Sequence, residues 1–424
     1  MTASGDSAAR GTARAGLFRG PSGRNMLATF ALVTTLFLLW GFCNGLIDVL
    51  NKHFQSTLHI NKYQSGFVQT ANYMAYFLMA IPAGLLARRY GYKAGIIVGL
   101  TLIAAGAFWF IPATQIGTYW AFLTGLFVLA AGMTCLETIA NPYTTVLGPP
   151  RSGALRINIA QTFNGVGWIL GPIVGGQVLF RTANAANPNA SLYIPYMGIG
   201  IVVAVLIVVF LLAYVPDLHA EEESKTEAAG ARKIPLRRRS HFTFGVLAQF
   251  LYVSAQSGIF GFFINYVLEN VHGVTPAQAS TWLGLFGFGL FMVGRLCGSV
   301  VVSMTKPHAA LAVYALVNVV LCAVAMSGGW FGLSALLGTF FFMSIMFPTI
   351  FALSIRGLGE HTKLGSSLIV MSIVGGAIAP PLMGHIADVS STRIGLLVPL
   401  VCFVAIAVYG ARWPKLEASD TKEA

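Results

Sequence analysis

Apolar runs longer than about 18 residues, the length an α-helix needs to cross a bilayer, recur along this chain. They lie near 27–50, 64–87, 94–112, 118–146, 155–178 and 193–215, and again near 242–268, 277–303, 308–326, 330–355, 365–388 and 393–413. In hydrocarbon only helices and closed barrels satisfy the backbone, and continuous apolar runs exclude the alternating barrel pattern. The expected fold is therefore an all-α membrane protein with twelve transmembrane helices. Only 9% of 424 residues are charged, too few to cover a soluble surface, and the 47 glycines suit closely packed membrane helices.

The net charge of +12 raises the question of nucleic acid, but its placement answers it. With a cytoplasmic N-terminus, 21 of the 26 Lys and Arg fall on the cytoplasmic side, among them Arg88, Arg89, Lys93, Arg151, Arg156 and Arg237–Arg239. Lys52, Lys62, Arg181 and Arg393 fall opposite, and Arg295 sits inside a span. This positive-inside bias places both termini in the cytoplasm, in a bacterial-type inner membrane. The basic balance reads as topology beside a lipid bilayer, and no nucleic-acid partner is expected.

All five cysteines lie in apolar spans, with no spacing for a metal or a disulfide. No Gly-rich phosphate loop, catalytic triad or metal-ligand cluster stands out. Neither enzymatic chemistry, ATP-driven transport nor a bound cofactor is expected. Residues 1–25, rich in Gly, Ala, Ser and Arg, read as a disordered tail without a cleavable signal.

The long polar interruption at 216–240 divides the spans six and six: a bundle over 26–215, a linker, a bundle over 241–413 and a tail over 414–424. The linker reads as a solvated tether, or as a lipid contact through Arg237–Arg239. The halves repeat. ETIANP at 137–142 matches MSIMFP at 343–348, and Leu155, Gly167, Pro172 and Gly175 recur 209 residues later as Leu364, Gly376, Pro381 and Gly384. Such duplication places a site between two bundles related by a pseudo-two-fold axis. At the repeat positions Glu137, Asn141, Gln161 and Asn164 face Met343, Phe347, Val370 and Ile373. A ligand between the halves would meet a polar wall and an apolar one, which fits a sugar's hydroxyl edges and C–H face.

Asp48 and Glu137 are the two acids deep inside long apolar stretches. An acid there marks an ion or substrate path by default. Asp48 lies roughly 6 Å from the outer end of span one, and Glu137 roughly 15 Å from the inner end of span four, at about 1.5 Å per residue. Burial favours the neutral carboxyl, so the pair suits proton binding and release. Pro142, one turn beyond Glu137, is expected to bend span four. Gln161 and Asn164 share a helix face and suit hydroxyl-rich ligands, or alternatively interhelical bonding. Span seven offers Tyr252, Gln256 and Asn265 among Phe260, Phe262 and Phe263, and span ten offers Phe341, Phe342 and Phe347. Arg295 has no evident partner.

The stretches LWGFCNGLIDVL, QSGFVQTANYMAYFLMAIPAG, CLETIANPYTTVLGP, NIAQTFNGVG and FMSIMFPTIFALSIRGLGEHTKLGSSLIVMSIVGG resemble the fucose–proton symporter family of the major facilitator superfamily. The resemblance covers nearly the whole chain from about residue 35 and implies the major facilitator fold. It also implies proton-coupling roles for Asp48 and Glu137, and a sugar cavity lined by Gln161 and Asn164. Asn44, Asn141, Tyr252, Gln256, Asn265 and Phe347 complete the expected sugar-binding set. Two departures stand out. Asn44 is followed by Gly45, Leu46 and Ile47 where the family carries an asparagine-rich run, and Arg88 replaces the acid usual in the loop after span two. The expectation is a monomeric proton-coupled symporter importing a neutral monosaccharide, most simply L-fucose or a related hexose or pentose. Sodium-coupled hexose uptake, export of an amphipathic compound and a non-transporting sugar sensor remain as alternatives.

Overall fold

The computed structural model describes residues 18, 25–149, 152–182, 190–216, 239–358 and 361–422. The expected N-terminal tail, Phe18 and Asn25 apart, and linker residues 217–238 lie outside the described residues.

Among those described, the regular elements are helices, and eleven segments are long and apolar enough to cross a membrane. The longest, Lys62–Ile116, holds two spans, because the helix Phe67–Ile116 breaks at Gly91 (φ 85°, ψ 171°). A residue with a Cβ rarely adopts that backbone, so a glycine there lets the chain double back between Arg89 and Lys93. Twelve crossings result. Span one is Leu27–Thr57, spans two and three flank Gly91, and spans four to six are Tyr119–Val146, Gly153–Thr182 and Ala190–Leu212. Spans seven to twelve are Ser240–Asn270, Pro276–Met304, Pro307–Ala325, Gly329–Ile355, Gly365–Val389 and Thr392–Ser419.

One further irregularity falls where the sequence did not put it. Span four continues as helix through Pro142 to Val146. Its repeat, span ten, breaks instead at Ser344 and Ile345, and a new helix starts at Met346. Pro348 thereby sits in a first turn, where its missing N–H costs nothing. The last helix runs past residue 413 to Lys422, and Arg356 reaches it through an ion pair with Glu417 at 3.3 Å. Arg156, fully buried, closes the end of span four by donating to the carbonyls of Thr144 (2.9 Å) and Pro149 (3.2 Å). The first is a carbonyl that a helix terminus leaves unsatisfied, and the second belongs to the loop that follows.

The face carrying Lys62, Glu269 and Asp388 is called upper here, and that carrying Arg89, Lys93 and Arg356 lower. Close contacts between the halves cluster toward the upper face. Lys62 Nζ pairs with Glu269 at 2.5 Å, and Asp388 accepts the N–H groups of Lys62 (3.0 Å) and Tyr63 (2.8 Å). Asn51 donates to the Gly261 carbonyl at 2.8 Å. Trp168 of the first half meets the ring of Phe288 in the second at 4.9 Å. The molecule is closed above.

Within the first half, spans one and five meet through Gly41 and Gly45 against Gly167 and Gly171. A Cβ on Gly41 would lie 2.1 Å from the Asn164 carbonyl oxygen, and one on Gly171 2.6 Å from that of Phe42. Gly171→Leu should therefore force the two helices apart, at a cost of about 1–3 kcal/mol or more. Loss of the monodisperse peak, or a lowered thermal midpoint in detergent, would register it.

Candidate functional site

Span one carries Asn44 and Asp48 one turn apart, both buried. Asp48 Oδ1 accepts a 2.6 Å bond from Gln69 Nε2 of span two, while Oδ2 has no partner among the described residues. Asn44 Nδ2 donates to the Trp40 carbonyl (3.0 Å) and, more weakly, to the Tyr76 hydroxyl (3.4 Å). Trp40 Nε1 donates to the same hydroxyl at 2.7 Å. Tyr76 in turn is the hydrogen-bond partner of Glu137. One phenol thus joins spans one, two and four. Between the two acids stands Tyr73, within electrostatic range of Asp48, Glu137 and Tyr252. Neither acid is in an ion pair among the described residues.

Span four extends this cluster. Asn141 lies one turn from Glu137 and accepts a 3.0 Å bond from Gln161 Nε2 of span five; both amides are half-buried. Asn164 behaves differently. It is buried, and its Nδ2 donates to the Phe37 carbonyl at 3.2 Å, tying span five to span one. The structure thus links Asn44, Glu137, Asn141 and Gln161 into one wall and gives Asn164 an interhelical bond.

From the second half, Phe347 presents its edge to Tyr252 with centroids 6.2 Å apart. The Tyr252 hydroxyl donates to the Met343 carbonyl at 3.0 Å, where span ten ends its first helical piece. Gln256 is half-buried in the same helix. Asn265 exchanges bonds with Gln55 of span one, at 2.6 and 3.3 Å, in the upper closure. Phe260 stacks on Phe340 at 4.8 Å, Phe262 and Phe263 are core, and Arg295 lies over the Phe291 ring at 5.2 Å. A cavity of about 600 Å³ between spans one, five and six opens on the apolar outer surface, lined by such residues as Leu38, Phe42 and Val174. Its one polar side chain, Thr35, donates to the Leu32 carbonyl of its own helix, so it lacks the converging polar groups that orient a sugar.

Trp40, Gln69, Tyr73 and Tyr76 belong to this site and were not singled out in the sequence. A signal existed: residues 69, 73 and 76 repeat at helical spacing and share one face of span two.

The Major Facilitator Superfamily family model matches residues 26–373. The chain is 39% identical over 408 residues to the L-fucose-proton symporter of Escherichia coli strain K12, covering 91% of this chain and 93% of that one. It is 36% identical over 388 residues to the glucose/galactose transporter of Brucella abortus biovar 1 strain 9-941, covering 90% and 93%. Among solved structures, that of the major facilitator transporter FucP in the outward conformation aligns with a TM-score of 0.65 at 38% identity, covering 92% of this chain and 99% of that one.

Tyr76→Phe removes the hydroxyl shared by Trp40, Asn44 and Glu137. Leaving such groups without their partner costs about 1–3 kcal/mol. A lowered thermal-unfolding midpoint in detergent is the expected result.

Proposed function

The chain belongs to the major facilitator superfamily, and on that footing we propose that it is a proton-coupled symporter importing a neutral monosaccharide. The observation that carries the reading is the wall built by Asn44, Tyr76, Glu137, Asn141 and Gln161. Two acids without ion pairs stand beside uncharged amides, and the second half brings Tyr252, paired with the ring of Phe347, within electrostatic range of Tyr73 near both acids. Amides both donate and accept, as hydroxyl groups do, so they can exchange sugar for water at little cost. The rings offer an apolar face to the sugar's C–H side. L-fucose or a related hexose or pentose is the proposed cargo, in keeping with both relatives. No cofactor is required, since the proton is the coupling ion.

Asp48 and Glu137 are the proposed proton carriers. Neutralising a buried acid removes a charge that is costly to enclose, so the loaded and unloaded proteins differ in which arrangement of the halves they favour. Sugar binding that also favours the enclosed arrangement is then coupled to the proton by linkage. The site lies between two halves of one chain, so a monomer suffices. The lower face, rich in Arg and Lys, is assigned to the cytoplasm of an inner membrane.

Proteoliposomes with an imposed pH gradient and no sodium test the reading. With one proton per sugar, each pH unit supports at most about tenfold accumulation, since one unit is worth 1.36 kcal/mol. Glu137→Gln and Asp48→Asn should each abolish accumulation, and full accumulation by both would remove the basis for their assignment. Asn141→Ala or Gln161→Ala should weaken sugar binding roughly tenfold, the equivalent of about one lost hydrogen bond. Binding calorimetry reads that loss directly.

A further inference from the structure

Asp48 is followed on its own helix face by Asn51 and Gln55, at three and seven residues. Both amides reach the other half. Asn51 Nδ2 donates to the Gly261 carbonyl at 2.8 Å, and Gln55 trades bonds with Asn265, one turn beyond Gly261 on span seven. Gln55 Nε2 also bonds Asn51 Oδ1 (3.0 Å) and Ser65 Oγ (2.8 Å). An amide ladder therefore climbs from Asp48 to the upper face and holds spans one and seven together.

Gln69 joins the foot of this ladder to the acid. Its Nε2 donates to Asp48 Oδ1 at 2.6 Å, and the same nitrogen lies 3.4 Å from where a side chain on Gly261 would begin. Asn51 Nδ2 lies 3.3 Å from that point. A side chain there would fit only tightly against these two amides. A carboxamide N–H bond to an ionised carboxylate is charge-assisted and short, and it weakens when the carboxyl is neutral, so the hold on the amide follows the state of its neighbour. Gln69 packs against span seven at Gly261, and a shift of its amide changes what span seven meets.

We propose that Gln69 is the positioning residue that transmits the proton state of Asp48 to the upper closure, by way of Gly261 and the Asn51–Gln55–Asn265 ladder. The proposal rests on the proton-carrying role assigned to Asp48. Other ionisable groups stand at one remove. Tyr73 of span two is within electrostatic range of Asp48, and Glu137 of span four and Tyr252 of span seven within range of Tyr73. Lys52, one turn above Asp48, interacts with Glu269 and Lys62 at the upper face. Among the groups named, Gln69 is the one hydrogen-bonded to the acid.

The test compares the pH profile of radiolabelled-sugar counterflow in proteoliposomes for the wild type, Asp48→Asn, Gln69→Met and the double variant, each shown to elute as a single species. The Gln69→Met profile should depart from the wild type and superimpose on that of Asp48→Asn. The double variant should match either single one, because residues acting through one link are not additive. If Gln69→Met does not yield folded protein, Gln69→Leu likewise removes the amide without adding a titratable group and should lose the wild-type profile in the same way. A wild-type profile in either folded Gln69 variant, or additive effects in the double, overturns the proposal. A wild-type profile in Asp48→Asn itself overturns the prior reading of the acid instead.

Discussion

Hydrocarbon offers no water, so a backbone group turned toward lipid has to be satisfied within the chain, and side chains are drawn into the same bonding. That constraint shapes both the fold and the site. Arg156 closes the carbonyl end of span four because a buried guanidinium and exposed helix carbonyls satisfy each other at once. Tyr76 serves three partners because a single hydroxyl donates once and accepts twice. The same economy draws polar residues to the surface between the halves, where they are screened from lipid and can meet a ligand. A site at that surface is therefore a consequence of the solvent, before any chemistry is specified.

The spans were legible because length and apolarity act over many residues together, and the break between spans two and three was legible through Arg88, Arg89 and Lys93. Asp48 and Glu137 were equally plain, since an acid in an apolar run is expensive enough to need a reason. Neutral polar residues are another matter. Asn164, Asn265, Gln161 and Gln69 look alike in sequence, yet one ties span five to span one, one joins the upper ladder, one holds Asn141 and one holds Asp48. Amides serve packing and recognition at similar energies, so residue type does not separate the roles. Their spacing along a face carries more information: Asp48, Asn51 and Gln55 on span one, and Gln69, Tyr73 and Tyr76 on span two. The break at Ser344 did have a signal that the spans' apolarity masked: Pro348 lies four residues on, and a proline disrupts the helix on its N-terminal side.

The two halves share one device and differ in another. Span two is preceded by a capping box of Asn61 and Gln64, and span eight by one of Thr275 and Gln278. Each start is thus fixed by its own residues. Each also meets the opposite half through a glycine: Gly384 against the Lys62 carbonyl, Gly176 against Ser280. The carboxylate of Asp388, which takes the N–H groups of Lys62 and Tyr63, has no equivalent among the described residues of the first half, where the residue 209 positions earlier is Leu179. Among the described residues, the duplicated halves share the packing and differ in the polar clamp.

That clamp has the strength an opening surface requires. Lys62 and Glu269 are partly exposed, and a pair of that kind contributes about 0–1 kcal/mol. Two hydrogen bonds to an exposed Asp388 add little more, since water replaces them when they part. A closure built on a large dry interface would hold one arrangement permanently. For a ligand to move the balance of two arrangements from 1:99 to 99:1, its preference between them must be worth about 5.5 kcal/mol, so the intrinsic difference has to remain within a few kcal/mol. Glycine contacts give shape without adhesion, and water-exchangeable bonds give register without permanence. On the proposed reading, the upper face is held by weak contacts because one proton and one sugar must be enough to release it.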